Sequence, residues 1–300
     1  MSEPNTLRIE QGQSNGAANP PMMETESAIL AALTRRRRRR RWLINSLRLL
    51  LLVVLIGGWE LGTRFGLIDP FFWGRPSGIW QQLVTWVVHG TAQGPLWVQI
   101  AVTLEEALLG FLIGVVLGIS FGVLLGRNAF LAELLGPYIK AANSIPRVTL
   151  APLFAIGLGL GSQSKVALAV VLVFFIVFFN AFQGVREVDR NLLANARILG
   201  ANRWQLFREV ILPSALTWII ASLHTSFSFA LVGAVVGEFV GSIEGIGLMI
   251  QNAGATFNAN GVFAAMLILA VVALLSEVII TALERRLLRW RPTALSEATL

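Results

Sequence analysis

Residues 189–213, DRNLLANARILGANRWQLFREVILP, interrupt an otherwise apolar chain with charged and polar residues. The flanking stretches 166–185 and 210–237 contain no Asp, Glu, Lys or Arg. Each is long enough to cross a hydrocarbon core, which needs about 20 apolar residues. The interruption, called the 189–213 loop below, is therefore predicted to lie outside the membrane between two spans and to bind a soluble partner.

The pattern within the 189–213 loop predicts two short helices joined at a glycine. Asp189 can cap the first helix, and Gly200 can end it because glycine accepts the left-handed conformation that closes many helices. A second helix can start after Asn202 and run to Pro213. Both helices are amphipathic, with apolar residues Leu192, Leu193, Ala196 and Leu199 on the first and Trp204, Phe207, Val210 and Ile211 on the second. Such a pair suits insertion into a groove of another protein.

Composition places the chain among proteins that cross a membrane several times. Hydrophobic residues make up 55% of the 300 residues and charged residues only 14%, which lies outside the soluble norm. We expect an all-α fold with six transmembrane helices, near residues 42–63, 105–126, 134–160, 165–185, 212–240 and 261–283. The chain has no cysteine and only two histidines, so a thiol nucleophile and a metal site are poorly supported.

Basic residues predict the orientation of these spans. Residues 1–41 are expected to form a disordered tail that ends in seven arginines, Arg35–Arg41, and residues 292–300 a second, short tail. With six crossings, 18 of the 24 lysines and arginines fall on the side that holds both termini. The positive-inside rule then predicts that both termini are cytoplasmic. The arginine run directly precedes an apolar segment, so anionic lipid is its expected partner and no nucleic acid is expected.

The second predicted span carries a glycine at every fourth position. Its members are Gly110, Gly114, Gly118, Gly122 and Gly126, which share one helical face. In lipid, where packing drives helix association, such a face lets another helix approach closely. We expect helix packing here, and a gating role for the same face stays open.

The 189–213 loop resembles the signature loop of the inner-membrane permease subunits of ABC importers. That signature reads Glu-Ala-Ala, three residues, Gly, nine residues, an aliphatic, any residue, Leu-Pro. Here Ala194, Asn195 and Ala196 precede Gly200, and Val210 to Pro213 follow at the matching spacing. The resemblance covers about residues 70–290 and narrows to the branch that imports nitrate, sulfonates, taurine or bicarbonate. The other stretches that carry it are Ser144 to Arg147 with Ala151 to Leu153, Ala196 to Ala201, Val236 to Phe239 and Gly245 to Leu248.

The resemblance implies a type I importer permease, residues 42–291, in the bacterial cytoplasmic membrane. It implies a second copy of the permease, cytoplasmic ABC ATPase subunits that bind ATP and Mg, and an extracytoplasmic substrate-binding protein. It also implies that the 189–213 loop couples to the ATPase through Ala194, Asn195, Ala196, Arg197, Gly200, Ala201, Leu212 and Pro213. No cofactor is expected on this chain itself.

Polar residues at membrane depth are candidates for a substrate pathway, because they are costly there and usually face protein or water. The candidates are Ser144, Pro146, Arg147, Asn180, Ser226 and Glu238. Helix packing explains Asn180 and Ser226 equally well, and snorkelling or packing explains Arg147. Glu238 has a rival role at the outer interface, where it would hold a neighbouring loop or the other subunit.

No catalytic constellation is visible in the sequence. Residues 157–165, GLGLGSQSK, resemble a phosphate-binding loop only superficially, because the chain contains no Gly-Lys pair. We therefore expect no enzyme activity in this chain. A secondary transporter or channel would also span the membrane six times, and a structural membrane protein would also carry the glycine face. The first alternative leaves the 189–213 loop unexplained, and the second does not account for the stretches that carry the family resemblance.

Overall fold

The computed structural model describes residues 20–287, with side chains for residues 38–189 and 191–282. The chain divides into two compact units, residues 1–61 and 62–300. The described part of the first unit belongs to helix α1, Pro20–Arg64. The segment Arg38–Arg64 of this helix is long and apolar enough to cross a membrane, and it contains the predicted first span.

Helix α1 begins earlier than the sequence predicts. Residues 1–41 are expected to be a disordered tail, but the helix runs from Pro20 with no break at residue 41. This corrects the prediction for residues 20–41. Glu, Ala, Leu, Met and Arg are frequent there and favour helix, and a span already helical can extend without a new nucleus. Residues 1–19 and the predicted C-terminal tail, residues 292–300, lie outside the described residues.

The second unit is also helical, which confirms the all-α class. Its helices are α2 Pro70–Trp73, α3 Pro76–His89, α4 Leu96–Arg127, α5 Ala129–Ser144, α6 Ala151–Leu158, α7 Ser162–Arg186, α8 Arg190–Ile198, α9 Arg203–Gln205, α10 Leu212–Val240, α11 Ile246–Ala255 and α12 Ala259–Leu287. A 3₁₀ turn, Arg147–Leu150, precedes α6, and a π-helical turn, Leu206–Ile211, joins α9 to α10. Between residues 20 and 287, five helical segments are each long and apolar enough to cross a membrane.

Helices α4 and α7 pack in parallel through the glycine face. A Cβ added at Gly114, Gly118, Gly122 or Gly126 would lie 2.7–2.8 Å from the Cβ of the residue opposite. The contacts advance together along both helices, pairing Gly110 with Ala169, Gly114 with Val173, Gly118 with Val177, Gly122 with Ala181 and Gly126 with Val185. The packing role predicted for these glycines is confirmed.

The third predicted span, residues 134–160, is a broken segment rather than one helix. Helix α5 ends at Ser144, Ile145 is extended, and Pro146 precedes the 3₁₀ turn that leads into α6. A proline disfavours helical geometry in the residue before it, which explains the break. Because α4 and α7 are parallel, the chain between them has to return from the end of α4 to the start of α7. The broken segment therefore supplies the crossing that separates the two helices.

Helix α10 completes the central bundle by packing antiparallel to α7. Gly184 contacts Ala215 near one end, and Gly233 and Gly237 contact Ala169 and Lys165 near the other. Helix α10 also meets α4, where the rings of Phe111 and Phe227 pack edge to face at 5.4 Å. The three helices enclose a core that includes Ala107, Val173, Val177, Ala230 and Ala234.

The close contact of α4 and α7 predicts that Gly118→Ala destabilises the protein. The added methyl would lie 2.8 Å from Val177 Cβ and 3.0 Å from the Phe174 carbonyl oxygen, which is backbone and cannot rotate away. Overpacking of this kind costs about 1–3 kcal/mol. We expect a lower thermal melting temperature of the purified protein in detergent.

Gly57→Ala is the matched control, because a Cβ at Gly57 meets no described atom within 4 Å. Its melting temperature should equal or exceed that of the unmodified protein, since alanine favours helix. An equal melting temperature for Gly118→Ala and the unmodified protein would contradict the packing argument.

Candidate functional site

The first helix of the 189–213 loop is closed at both ends by local contacts. The Asp189 side chain accepts a hydrogen bond from the Asn191 N–H at 2.8 Å. At the other end Gly200 has φ +85°. The Gly200 N–H donates to the Arg197 carbonyl and the Ala201 N–H to the Ala196 carbonyl, both at 3.0 Å. This is the glycine-closed helix end that the sequence predicts.

The second helix of the loop starts at a reciprocal cap. The Asn202 side chain accepts from the N–H groups of Trp204 at 3.0 Å and Gln205 at 2.9 Å. The Asn202 N–H in turn donates to the Gln205 side chain at 2.9 Å. The predicted restart of the helix after Asn202 is therefore confirmed, and the reciprocal bonds form a capping box.

The loop helix continues into the membrane span without a break. Residues Arg203–Val240 form one helical segment of 38 residues. The π-helical turn at Leu206–Ile211 lies just before Pro213. A proline ring clashes with the carbonyl four residues earlier in a regular helix, and a wider turn relieves that clash.

The predicted apolar face of the second helix is partly exposed. Trp204 lies on the same side as Phe207, with their ring centres 5.8 Å apart, and Trp204 is exposed. Leu206, which the sequence does not place on this face, is buried. Phe207 contacts the end of α4, where the Arg127 guanidinium lies 4.0 Å from its ring centre.

The 189–213 loop exposes large apolar side chains to its surroundings. Ile198 is 83% exposed and Leu199 is 87% exposed, and Leu192 and Trp204 are also exposed. The motif residues lie on the same loop: Ala194, Asn195, Arg197 and Gly200 are exposed, and Ala196, Ala201, Leu212 and Pro213 are half-buried. Clustered exposed apolar residues of this kind make the loop a candidate protein-binding surface.

At the opposite end of the bundle, side chains of α4 and α10 cap the first turn of α11. The N–H groups of Gly245, Ile246 and Gly247 donate to Gln99 Oε1 at 2.8 Å, Thr103 Oγ1 at 3.0 Å and Glu238 Oε2 at 2.6 Å. The Thr103 hydroxyl donates to Glu238 Oε1 at 2.7 Å. Gln99, Thr103 and Glu238 are fully buried. A carboxylate at a helix N-terminus also interacts favourably with the helix dipole.

Two further charged residues are buried at the same end of the bundle. Glu106 and Lys165 are also buried. A Cβ at Gly237, the residue before Glu238, would lie 2.9 Å from Lys165 Cγ. The Lys165 ammonium donates to the carbonyls of Leu160 and Gly161, the latter at 3.0 Å. Sequence reasoning did not bring these residues together. The sequence does place Gln99, Thr103, Glu106 and Gly110 on one face of α4, because they follow helical spacing. Lys165 and Glu238 lie too far away in sequence for any periodicity to connect them.

The six candidate pathway residues do not meet in one place. Ser144, Pro146 and Arg147 lie together at the break in the third span, where the Arg147 guanidinium donates to Asn143 and lies 4.6 Å from the Phe175 ring centre. Asn180 and Ser226 donate to the carbonyls of Ile176 and Ser222 within their own helices. Glu238 holds the turn before α11, which is one of the two alternatives that the sequence leaves open.

Comparison with known proteins agrees with this arrangement. Residues 114–289 match the family described as binding-protein-dependent transport system inner membrane component. A Bacillus subtilis (strain 168) protein, provisionally named as an aliphatic sulfonates transport permease, is 36% identical over 66% of this chain and 72% of its own length. The riboflavin transport system permease protein of Chloroflexus aurantiacus is 34% identical over 77% of this chain and 85% of its own.

A solved structure shares the fold. A chain of the MetNI methionine ABC transporter, solved in inward-facing conformations, aligns with a TM-score of 0.50 and 23% identity. The alignment covers 65% of this chain and 93% of that chain. The family match and the relatives agree: the chain belongs to the family of binding-protein-dependent transport system inner membrane components, the multi-pass permease subunits of ABC importers.

Proposed function

We propose that this permease works as a dimer in the bacterial cytoplasmic membrane and imports a small anion of the sulfonate class. ABC ATPase subunits bind the 189–213 loop from the cytoplasm, and an extracytoplasmic binding protein delivers the solute at the opposite end. Both termini are cytoplasmic in this arrangement. ATP and Mg are held by the ATPase subunits.

One observation carries the proposed ATPase contact: the 189–213 loop is rigid and still exposes Leu192, Ile198, Leu199 and Trp204. The loop is fixed by the caps at Asp189 and Asn202 and by the turn at Gly200. A preorganised apolar surface loses little entropy on binding. Because Trp204 belongs to the helical segment Arg203–Val240, a push on this part of the surface would reach the far side of the membrane.

The proposed solute class rests on a relative and on Arg147. The Bacillus subtilis relative is named for aliphatic sulfonates. Arg147 lies at the break in the third span, half-buried, and its Nε has no hydrogen-bond partner among the described atoms. A guanidinium suits the oxygen atoms of a sulfonate because it presents several donors in one plane. The riboflavin relative favours a second candidate, a solute without a sulfonate group.

A transporter without an ATPase partner is the alternative class. Such a protein would carry its ion site and its conformational switch within one chain. It would not require an exposed apolar surface outside the membrane, which water disfavours. The surface of the 189–213 loop therefore favours the ABC importer.

The turn at Gly200 predicts that Gly200→Val uncouples ATP hydrolysis from transport. A Cβ at Gly200 meets no described atom within 4 Å, but the φ of +85° is unfavourable for a β-branched residue. The left-handed conformation costs about 1–2 kcal/mol, so the loop should change shape. We expect at least about tenfold less uptake per ATP hydrolysed, measured in vesicles with the cognate ATPase and binding protein.

Gly66→Val is the matched control for this change. Gly66 also has a positive φ, +73°, and open space around its Cα, but it lies outside the 189–213 loop. Its backbone strain should leave the ratio of uptake to hydrolysis unchanged. Normal coupling in Gly200→Val would count against the loop as the coupling element.

The exposure of Leu199 predicts that Leu199→Ser weakens ATPase binding while leaving the fold intact. Its side chain is 87% exposed, and surface substitutions usually change stability by less than about 0.5 kcal/mol. Replacing a buried interface anchor usually costs about 2 kcal/mol or more, which lowers the affinity about thirtyfold. Binding of the ATPase to purified permease in nanodiscs measures this change.

Leu67→Ser provides the control, since Leu67 is 83% exposed but distant in sequence from the loop. ATPase affinity should be unchanged in this variant. Equal affinity for Leu199→Ser and the unmodified protein would exclude this surface as the binding site.

The position of Arg147 predicts that Arg147→Gln raises the KM for uptake of an aliphatic sulfonate by about tenfold, or about 1.4 kcal/mol. Loss of the guanidinium removes donors that hold the anion. Lys140→Gln removes another cation of the same segment and should leave KM unchanged. If Arg147→Gln left KM unchanged, or if riboflavin but no sulfonate were imported, the anion assignment would be wrong.

A further inference from the structure

Helix α3, which follows Arg75 and ends at His89, has three sides of different character. One side faces the protein, where Leu83 and Trp86 pack against buried residues of α11 and α12. A second side is exposed and apolar, and a third is exposed and polar. The exposed apolar side holds Trp80, Val84, Val87 and Val88, and the exposed polar side holds Gln81, Thr85 and His89. With 3.6 residues per turn, each exposed set covers an arc of about 100° or less.

Contacts at both ends of α3 hold it beside the starts of α4 and α12. The Arg75 N–H, directly before α3, donates to Asn260 Oδ1 at 2.9 Å. The Asn258 side-chain amide donates to Gln82 Oε1 at 3.2 Å. The turn at residues 90–95 then leads straight into α4. Helix α3 has 14 residues, which span about 21 Å against about 30 Å for a hydrocarbon core. It is therefore too short to cross and lies at the end of two candidate spans.

The absence of charge near α3 favours lipid over water as the neighbour of its apolar side. Residues 76–104 contain no Asp, Glu, Lys or Arg, although a helix on the surface of a soluble protein normally carries charged residues outward. Trp73, Trp80 and Trp97 are 60–71% exposed at this end of the bundle. Tryptophan is enriched where a membrane meets water, because its ring is apolar and its N–H is polar.

The apolar side of α3 is continuous with the surface of a candidate span. Val87, Val88 and Trp97 line one cavity of about 520 Å³. Trp97 belongs to α4, which is long and apolar enough to cross a membrane. The lipid that surrounds α4 can therefore extend onto α3 without crossing a polar surface.

We propose that α3 lies in the boundary between the lipid headgroups and the hydrocarbon. Its apolar side, Trp80, Val84, Val87 and Val88, faces the acyl chains, and its polar side faces water. A helix covered only by water has no use for the apolar side, and one at membrane depth has no use for the polar side, whereas an interfacial helix needs both. Helix α3 then anchors the starts of α4 and α12 at the membrane surface. The inference does not depend on the transported solute or on the ATPase.

The test is the accessibility of spin labels on α3 in the full-length protein in lipid vesicles. The chain contains no cysteine, so one introduced cysteine carries the only nitroxide label. Val84→Cys should be accessible to oxygen, which concentrates in lipid, and protected from a water-soluble nickel chelate. Thr85→Cys is the matched control, since Thr85 is adjacent and also exposed, and it should show the reverse. We expect the ratio of oxygen to nickel-chelate accessibility to be several-fold higher for Val84→Cys.

A second pair of labels guards against a local disturbance at one site. Val87→Cys should behave like Val84→Cys, and His89→Cys like Thr85→Cys. All four side chains are exposed, and substitutions at such positions usually leave the fold intact. If the labels on the apolar side were as accessible to the nickel chelate as those on the polar side, α3 would lie in water and the proposal would be wrong. Protection of the apolar side from both reagents would show that protein covers it, a second copy or a binding protein, and would equally overturn the proposal.

Discussion

The contact between α4 and α7 is the constraint on which the rest of the second unit depends. Glycines on α4 let the two backbones approach so closely that no side chain fits between them, and van der Waals packing holds them because lipid provides no hydrophobic driving force. This contact fixes the axial register of the two parallel helices. As a result Glu106, one turn before Gly110, lies level with Lys165, one turn before Ala169, and Arg127 reaches Phe207 at the other end. Both functional regions take their positions from the same interface.

Helix α10 connects these two regions. The segment Arg203–Val240 is helical throughout its 38 residues, which corresponds to about 57 Å at 1.5 Å per residue. A displacement at the 189–213 loop must either move the Glu238 end or be absorbed at the π-helical turn, where the regular α-helical bonding is interrupted. Since Glu238 holds the first turn of α11, movement of α10 would pull on α11. The fold therefore offers a direct mechanical path between the two ends.

The sequence predicts this architecture where the determinants are local. The caps at Asp189 and Asn202, the turn at Gly200 and the packing face of α4 all follow from short patterns, and all are present in the structure. It fails to place Leu206 in the interior, and it fails where helix extends beyond an apolar span, as in α1. It cannot pair Glu106 with Lys165, because no periodicity relates residues on separate helices.

The distribution of satisfied polar groups bears on where a solute can be recognised. Gln99, Thr103 and Glu238 are engaged by the backbone of α11, and Ser226 by a carbonyl of its own helix. A solute binding to any of them would first have to displace an internal hydrogen bond, which leaves a buried group unpaired. Arg147 differs, because part of its guanidinium lacks a partner among the described atoms at the break in the third span. Under the proposed import of an anion, binding at Arg147 would therefore displace fewer internal hydrogen bonds than binding at the α11 end.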